Sequence, residues 1–188
     1  MAFDILQMLQ MVGRSKRILR TGWVREHVID PESVADHSFR LVVLCMVIAP
    51  LLKLDKEKLI KMAIIHDLGE VITGDTVVER GGKVDLEARK RKDTIERENI
   101  ESLFKDMKDY EEYVDIFSEM ISRKTHESKI FKQLDKMEMA MQALEYEQEQ
   151  RIVLEEFFID TKVHITEPLL RSLLEEIIAM RPIKVQTD

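Results

Sequence analysis

The chain has 188 residues, a length that suits one domain built around a single hydrophobic core. Its composition, 45% hydrophobic and 35% charged, excludes intrinsic disorder and a membrane-like protein. The net charge of −7 argues against a general nucleic-acid-binding surface, because such surfaces take their affinity from lysine and arginine. One local basic pocket for a small phosphorylated ligand remains compatible with this charge.

Cysteine use and the apolar segments predict a cytoplasmic protein that does not span a membrane. Cys45 is the only cysteine, so no intrachain disulfide can form, and its apolar neighbours favour inert packing. The apolar stretch at residues 41–52 is too short to span a bilayer and contains Pro50. Asp4 precedes any basic residue, which is not the pattern of a secretory signal.

Apolar residues recur at helical spacing through nearly the whole chain, and no alternating strand pattern persists. We expect Gly22 to end the first helix, residues 30–32 (DPE) to begin the second, and Asp55 and Asp85 to cap later helices. The predicted helices lie at residues 3–19, 30–50, 55–67, 85–104, 113–120, 128–147, 154–158 and 169–178.

Residues 73–85 contain Gly74, Gly81 and Gly82 and form the only long irregular segment predicted in the first half. Such a loop inside a small domain is usually functional or mobile. No linker or internal repeat interrupts the helical pattern. We therefore predict a single all-α domain over residues 1–188, with its core at about residues 3–180 and a short C-terminal tail.

Four polar residues stand within apolar helical stretches: His37, the adjacent pair His66 and Asp67, and Asp135. Each has apolar residues three or four positions away, which places it on a presumed core face. Imidazoles and carboxylates are costly to bury unless they are paired. Two imidazoles and two carboxylates would suit one divalent ion, Mn²⁺, Co²⁺, Fe²⁺, Zn²⁺ or Mg²⁺, and hydrolysis is the natural use of such a site.

Each of these residues alone is weakly informative, because a histidine on an apolar helix face is more often a hydrogen-bonded core residue. The surrounding motifs are more specific. They occur in the order RTGWV at residues 20–24, PESVADHS at 31–38, HDLGE at 66–70 with TGD at 73–75, and KQLDKME at 132–138. On these motifs the chain resembles, over residues 3–180, the HD-domain superfamily of metal-dependent phosphohydrolases, and more closely its 5′-deoxynucleotidase branch.

The resemblance implies a helical HD-domain fold with a divalent metal held by His37, His66, Asp67 and Asp135. It also implies that Glu70 handles the proton of the attacking water, and Glu70 lies within one helical turn of the His-Asp pair. The alternative for Glu70 is an ordinary solvated glutamate at a helix end.

The resemblance further assigns Trp23 and Asp75 to the sugar of the substrate, with Asp75 also in a catalytic role and Thr76 as a substrate-binding hydroxyl of the same loop. Trp23 has the alternative of a packing residue that joins the first two helices. Asp75 has the alternative of a turn or cap residue beside Gly74.

Phosphate recognition departs from the pattern of the branch. Some members place an arginine directly before the tryptophan, where this chain has Gly22. Arg20 and Arg25 are the candidates to replace it, because a guanidinium offers a fork of donors suited to phosphate. Arg14 and Lys16 remain open as further candidates.

The expected reaction is hydrolysis of a deoxyribonucleoside 5′-monophosphate, a small-molecule substrate, by a homodimer that binds neither nucleic acid nor membrane. The dimer is implied mainly by the resemblance, since the sequence shows no interface. Two alternatives stay open: another nucleotide phosphoester as the substrate, cyclic or triphosphorylated, and a non-catalytic helical scaffold with a structural metal. The basic run at residues 90–92 is interpreted as a solvated helix face with local ion pairs.

Overall fold

Helices form most of the chain in the computed structural model, which describes residues 2–77, 79–80 and 83–182. This confirms the predicted all-α class. The helices are α1 Ala2–Val12, α2 Thr21–Arg25, α3 Val34–Leu51, α4 Lys56–Ile65, α5 Glu70–Thr73, α6 Leu86–Phe104, α7 Tyr110–Ser122, α8 His126–Gln150, α9 Glu155–His164 and α10 Pro168–Ala179.

Helix α8 organises the core. It packs against α3, α4, α7, α9 and α10, and buries residues on several of its sides. Leu134 of α8 and Leu41 of α3 are fully buried between these helices. Burial of a leucine side chain stabilises a fold by roughly 1.5–3 kcal/mol. Because α3 and α8 also carry predicted site residues, those residues stand on rigid, well-packed elements.

Two of the three predicted helix starts are correct. Asp55 caps α4 by accepting from the backbone N–H of Lys58, and Asp85 caps α6 in the same way. The predicted start at residues 30–32 is wrong, because α3 begins at Val34 with Ser33 as its N-cap. A reciprocal capping box between Ser33 and Asp36 fixes this start.

The first helix is shorter than predicted. Helix α1 ends at Val12, and a 3₁₀ helix at Gly13–Arg17 follows, with the Ser15 hydroxyl bonded to the Val12 carbonyl at 2.7 Å. Gly22 does not end a helix, because it lies inside the short helix α2 and against Phe157. The predicted helix at residues 3–19 is therefore an α-helix followed by a 3₁₀ helix, and α2 is a separate element near the site.

The segment around residues 66–85 also differs from the prediction. Helix α4 ends at Ile65, so His66 and Asp67 lie in the turn that leads to α5. The segment predicted to be irregular contains two short strands, β1 Glu79–Arg80 and β2 Lys83–Val84, which pair antiparallel. The expectation for Gly81 and Gly82 lies outside the described residues.

Helix α3 has the length and composition that would allow it to cross a membrane, and a third of the relevant window is buried. The apolar stretch considered in the sequence, residues 41–52, lies mostly within this longer helix, which begins at Val34. One face of α3 nevertheless packs in the protein core through Leu41, Cys45 and Ile48, which are buried. A core helix of this kind meets the same length and composition criteria.

Candidate active site

The structure brings the four predicted metal-binding residues together from three parts of the chain. His37 comes from α3, His66 and Asp67 from the turn after α4, and Asp135 from α8. The two imidazole Nε2 atoms are 3.1 Å apart. His37 Nε2 lies 3.3 Å from an Asp135 oxygen and 4.0 Å from an Asp67 oxygen, and His66 Nε2 lies 3.1 Å from the same Asp67 oxygen.

The other ring nitrogens determine what these Nε2 atoms can do. His66 Nδ1 lies 2.9 Å from the Ala63 carbonyl, which can only accept, so the bonding pattern assigns the proton of His66 to Nδ1. His37 Nδ1 faces a carboxylate oxygen of Glu138. Both histidines therefore direct Nε2 towards the same point beside two carboxylates. This set of two nitrogens and two carboxylates fits a divalent cation.

The electrostatic surroundings of these residues favour positive charge. Burial and nearby Arg20 oppose protonation of His37, but Glu138 and Asp135 outweigh them and raise its pKa to about 10. The pKa values of Asp67 and Asp135 lie well below the ordinary value, because neighbouring cations and histidines overcome the effect of burial. Both aspartates are therefore ionised at neutral pH, and His37 carries a proton among carboxylates.

Two basic side chains flank the carboxylates of the site. An Arg20 guanidinium nitrogen lies 2.5 Å from an Asp67 oxygen, and Lys132 Nζ lies 2.9 Å from an Asp135 oxygen. The pKa of Arg20 is raised further, because Asp67 and other nearby carboxylates outweigh its burial. Both side chains also line a cavity. Lys132 belongs to the KQLDKME motif, but no feature of the sequence assigned it a role.

The cavity has a volume of about 190 Å³ and contains all five predicted substrate-binding residues. Its lining includes Arg20, Trp23, Arg25, Asp75 and Thr76, together with His66, Asp67, Asp135, Lys92 and Lys132. Arg14 and Lys16 do not occur among the described residues of the lining. The cavity therefore joins the predicted substrate side chains to three of the four predicted metal ligands.

Trp23 packs in the core and also lines the cavity. Its side chain is 1% exposed and stacks on Phe157 with ring centroids 4.1 Å apart. Its indole N–H donates to Glu32 Oε1 at 2.8 Å. Since Trp23 also lines the cavity, it both packs α2 against α9 and presents a surface to the site.

Asp75 is bound to the start of α2. An Asp75 carboxylate oxygen accepts from the backbone N–H of Thr21 at 2.5 Å, and the Thr21 hydroxyl donates to the Asp75 carbonyl at 2.8 Å. These bonds hold the loop at residues 74–77 beside Arg20 and Trp23. The loop thus closes one side of the cavity, with Asp75 in its lining.

Glu70 is fully buried, so the alternative of a solvated glutamate is wrong. Its Oε1 accepts from Lys92 Nζ at 3.0 Å, whereas its Oε2 has no hydrogen-bond partner among the described residues. Burial and the nearby Asp67 and Asp75 carboxylates raise the Glu70 pKa to about 9, although Lys92 acts in the opposite direction. An unpartnered buried oxygen beside a proposed cation site is consistent with a role in proton transfer.

Lys92 is a site residue that the sequence interpretation missed. The run at residues 90–92 was assigned to a solvated face, which holds for the exposed Lys90 and its partner Glu87. Lys92 instead points inward and binds Glu70, the Thr76 carbonyl at 2.7 Å and Glu96 at 3.3 Å. The spacing of four residues indicated the pair with Glu96, but no sequence signal indicated the contact with α5.

A family model described as HD domain matches residues 12–177 of the chain. Among similar proteins, the 5′-deoxynucleotidase HDDC2 of Homo sapiens is 34% identical over 183 residues, which cover 96% of this chain and 87% of the human protein. The 5′-deoxynucleotidase HDDC2 of Xenopus laevis is 38% identical over 145 residues, which cover 77% of this chain and 70% of the frog protein.

Solved structures give the same result at the level of the fold. A hypothetical protein from Pyrococcus furiosus is 34% identical with a TM-score of 0.75, and the match covers 92% of this chain and 98% of that one. The PH0347 protein from Pyrococcus horikoshii OT3 is 29% identical with a TM-score of 0.73, and the match covers 93% and 99% of the two chains.

Proposed function

This chain belongs to the HD-domain family, and we propose that it is a metal-dependent 5′-deoxynucleotidase that hydrolyses deoxyribonucleoside 5′-monophosphates to deoxyribonucleosides and phosphate. The observation that carries this proposal is the convergence of two histidine Nε2 atoms and two carboxylates beside a cavity with basic side chains. The names of relatives that match most of the chain support the same activity.

His37, His66, Asp67 and Asp135 would hold the ion, because their donor atoms already lie within 4.0 Å of a neighbour in the set. A divalent ion supplies positive charge beside the phosphoryl oxygens and lowers the pKa of water. Nitrogen and oxygen ligands together suit Mn²⁺, Co²⁺, Fe²⁺ or Zn²⁺, and Mg²⁺ belongs in the same trial.

Arg20 and Lys132 bind the phosphate in this proposal. Each already contacts a carboxylate of the site and lines the cavity, so a phosphoryl group placed there meets a cation on two sides. Fixed positive charges stabilise the additional negative charge of a phosphoryl transition state. Arg25 also lines the cavity but is more exposed than Arg20, so we assign it a secondary part in attracting the substrate.

Glu70 and the loop at residues 74–77 complete the reaction. Glu70 Oε2 would accept a proton from the attacking water in its ionised form, which the positive charge of a bound divalent ion would favour over the protonated form. Asp75 serves the sugar and the leaving oxygen, and Thr76 adds a hydroxyl to the same wall. Trp23 and Asp75 favour a 2′-deoxyribose if the pocket leaves a 2′-hydroxyl without a partner.

The experiment is phosphate release from all dNMPs and NMPs, with Mn²⁺, Co²⁺, Zn²⁺, Mg²⁺ or EDTA. We expect metal-dependent release from dNMPs and little from NMPs. Glu70→Gln should reduce kcat by about 10²–10⁴-fold, and Glu87→Gln, at an exposed position of α6, should leave it unchanged. No release from any monophosphate by folded, metal-loaded protein would overturn the proposal and direct the assay to cyclic and triphosphorylated nucleotides.

We also propose a cytoplasmic homodimer. A stripe on the outer face of α3 supports the dimer: Phe39, Val43, Met46 and Val47 are exposed, Phe39 by 72%. Residues spaced by three, four and seven lie on one face of a helix, so these side chains form a continuous apolar surface. The cytoplasmic location is supported by the buried Cys45 thiol, which suits a reducing compartment.

A further inference from the structure

We propose that Glu138, held in place by Arg40, is a positioning residue that fixes the orientation and the protonated nitrogen of His37 for metal binding. This proposal rests on the metal site of the proposed function. Glu138 lies at 0% exposure behind His37 and outside the lining of the cavity described above. It acts through the imidazole, with no contact to the reacting groups.

Helix α8 holds both nitrogens of the His37 ring. Asp135 Oδ1 lies 3.3 Å from Nε2, and Glu138 Oε2 is hydrogen bonded to Nδ1 on the opposite edge of the ring. The two acidic residues are three positions apart on α8, so they project from the same side of that helix. The imidazole is therefore held between two carboxylates on one helix, which restricts its rotation.

Arg40 determines which way the Glu138 carboxylate points. It stands three residues after His37 on α3, and its Nε donates to Glu138 Oε1 at 2.7 Å. The rest of the guanidinium is bound by Glu145 at 2.7 Å and by Gln142. Each Glu138 oxygen thus has one donor, Arg40 on Oε1 and His37 on Oε2, and the carboxylate has a single well-defined arrangement.

The consequence for His37 is chemical. An ionised carboxylate can only accept, so it requires a proton on Nδ1 and leaves the Nε2 lone pair for the metal whenever the ring is neutral. A carboxylate bound to the second nitrogen of a metal-binding histidine also increases the basicity of the first. Arg40 donates to Glu138 Oε1 at 2.7 Å, so the buried carboxylate has a charged donor on the side away from His37.

A glutamine at position 138 could not bind Arg40 and His37 in the single arrangement that the carboxylate adopts. Its amide oxygen can accept from His37 only if the amide nitrogen faces Arg40. The amide N–H and the Arg40 guanidinium N–H would then face each other, and neither would have an acceptor. If the amide turns round, its nitrogen donates to Nδ1, and the proton of the neutral imidazole moves to Nε2, where it competes with the metal. Either arrangement weakens metal binding while leaving every metal ligand in place.

The experiment compares metal affinity in Glu138→Gln and in Glu145→Gln. The second variant is the matched control, because Glu145 binds the same arginine but is 45% exposed in its side chain and does not bind His37. Calorimetric titration of metal-free protein with Mn²⁺ or Co²⁺ should show binding about 10–100-fold weaker for Glu138→Gln. The control should bind within twofold of wild type.

A second readout separates positioning from general damage to the fold. In the Zn²⁺-loaded protein with ¹⁵N-labelled histidine, we expect His37 to carry its proton on Nδ1 in wild type and in Glu145→Gln. We expect a shifted or mixed signal in Glu138→Gln. If Glu138→Gln does not fold, Arg40→Met replaces it, because Arg40 is partly exposed and its loss leaves the carboxylate present but unoriented.

The outcomes distinguish this proposal from the proposed function. Wild-type affinity and an unchanged His37 signal in folded Glu138→Gln, or in Arg40→Met where that variant takes its place, would overturn the positioning role. A wild type that binds no divalent ion would overturn the metal site and the positioning role together. A wild type that binds metal but hydrolyses no nucleotide would overturn only the proposed activity, since neither measurement here uses a nucleotide.

Discussion

Raising the pH in the presence of a chelator should destabilise the protein, because the buried His37 and Glu70 hold protons more tightly when the chain is folded. The pKa of His37 rises from 6.5 to about 10, since Glu138 and Asp135 outweigh burial and Arg20. Its contribution to stability is therefore fully present below pH 6.5 and is lost as the pH rises through 10. The pKa of Glu70 rises from 4.5 to about 9, mainly through burial. Its contribution to stability is fully present below pH 4.5 and is lost as the pH rises through 9.

The size of the effect follows from proton linkage. Where the folded state holds one proton more than the unfolded state, the free energy of unfolding falls by about 1.4 kcal/mol for each pH unit. His37 and Glu70 both meet this condition through most of the interval from pH 7 to 9. Together they should lower the free energy of unfolding by about 5 kcal/mol over that interval, a large part of the stability of an ordinary domain.

The assay is urea unfolding in EDTA at pH 7, 8 and 9, followed by circular dichroism. His37→Gln should lose about half of the pH dependence, because one of the two protons is removed. His126→Gln is the matched control, since His126 is exposed at the start of α8, and it should keep the wild-type slope. A flat or rising profile in the wild type would refute the reasoning that these two groups hold protons in the folded protein.

Two further predictions concern the surroundings of the site. Lys92→Met removes the cation that binds the buried Glu70 carboxylate and the donor that binds the Thr76 carbonyl. We therefore expect kcat to fall by at least about 10-fold and the melting temperature to fall as well. Lys90→Met, on the exposed side of α6, should match wild type, and equal kinetics in the two variants would contradict this prediction. Phe39→Glu places a charge in the apolar stripe of α3, so we expect the proposed dimer to become a monomer in sedimentation velocity. A wild type that is already monomeric at micromolar concentration would refute the proposed dimer.

The sequence was most informative about the four residues proposed to bind a metal. His37 and Asp135 are polar residues on otherwise apolar helix faces, and a face that packs in the core must bring its polar members together. The structure has them 3.3 Å apart although 98 positions separate them in the chain. The spacing of apolar residues also predicted the helical class, because a helix with one buried face has apolar residues at a period of 3.6.

Polar partners and helix ends were less predictable, for a physical reason. Lys92 looks like any lysine of a charged helix, and whether it points inward depends on the position of Glu70 on another element. The start of α3 was decided by the reciprocal bonds of Ser33 and Asp36, although the acidic residue and proline at positions 30 and 31 suggested an earlier start. Local preferences of this size, about 1 kcal/mol, are easily overridden by tertiary contacts.

The arrangement around His37 links the stability of the fold to the readiness of the site. Helices α3 and α8 meet through a core of buried leucines, but also through His37 with Asp135 and through Arg40 with Glu138. Removal of one partner from such a buried pair costs more than the pair contributes, because a desolvated charge is left behind. The carboxylates around His37 therefore need a positive charge beside them, which the proton on His37 supplies. A metal ion at this point would take the place of that proton, while Arg40 and Glu138 would still join the two helices.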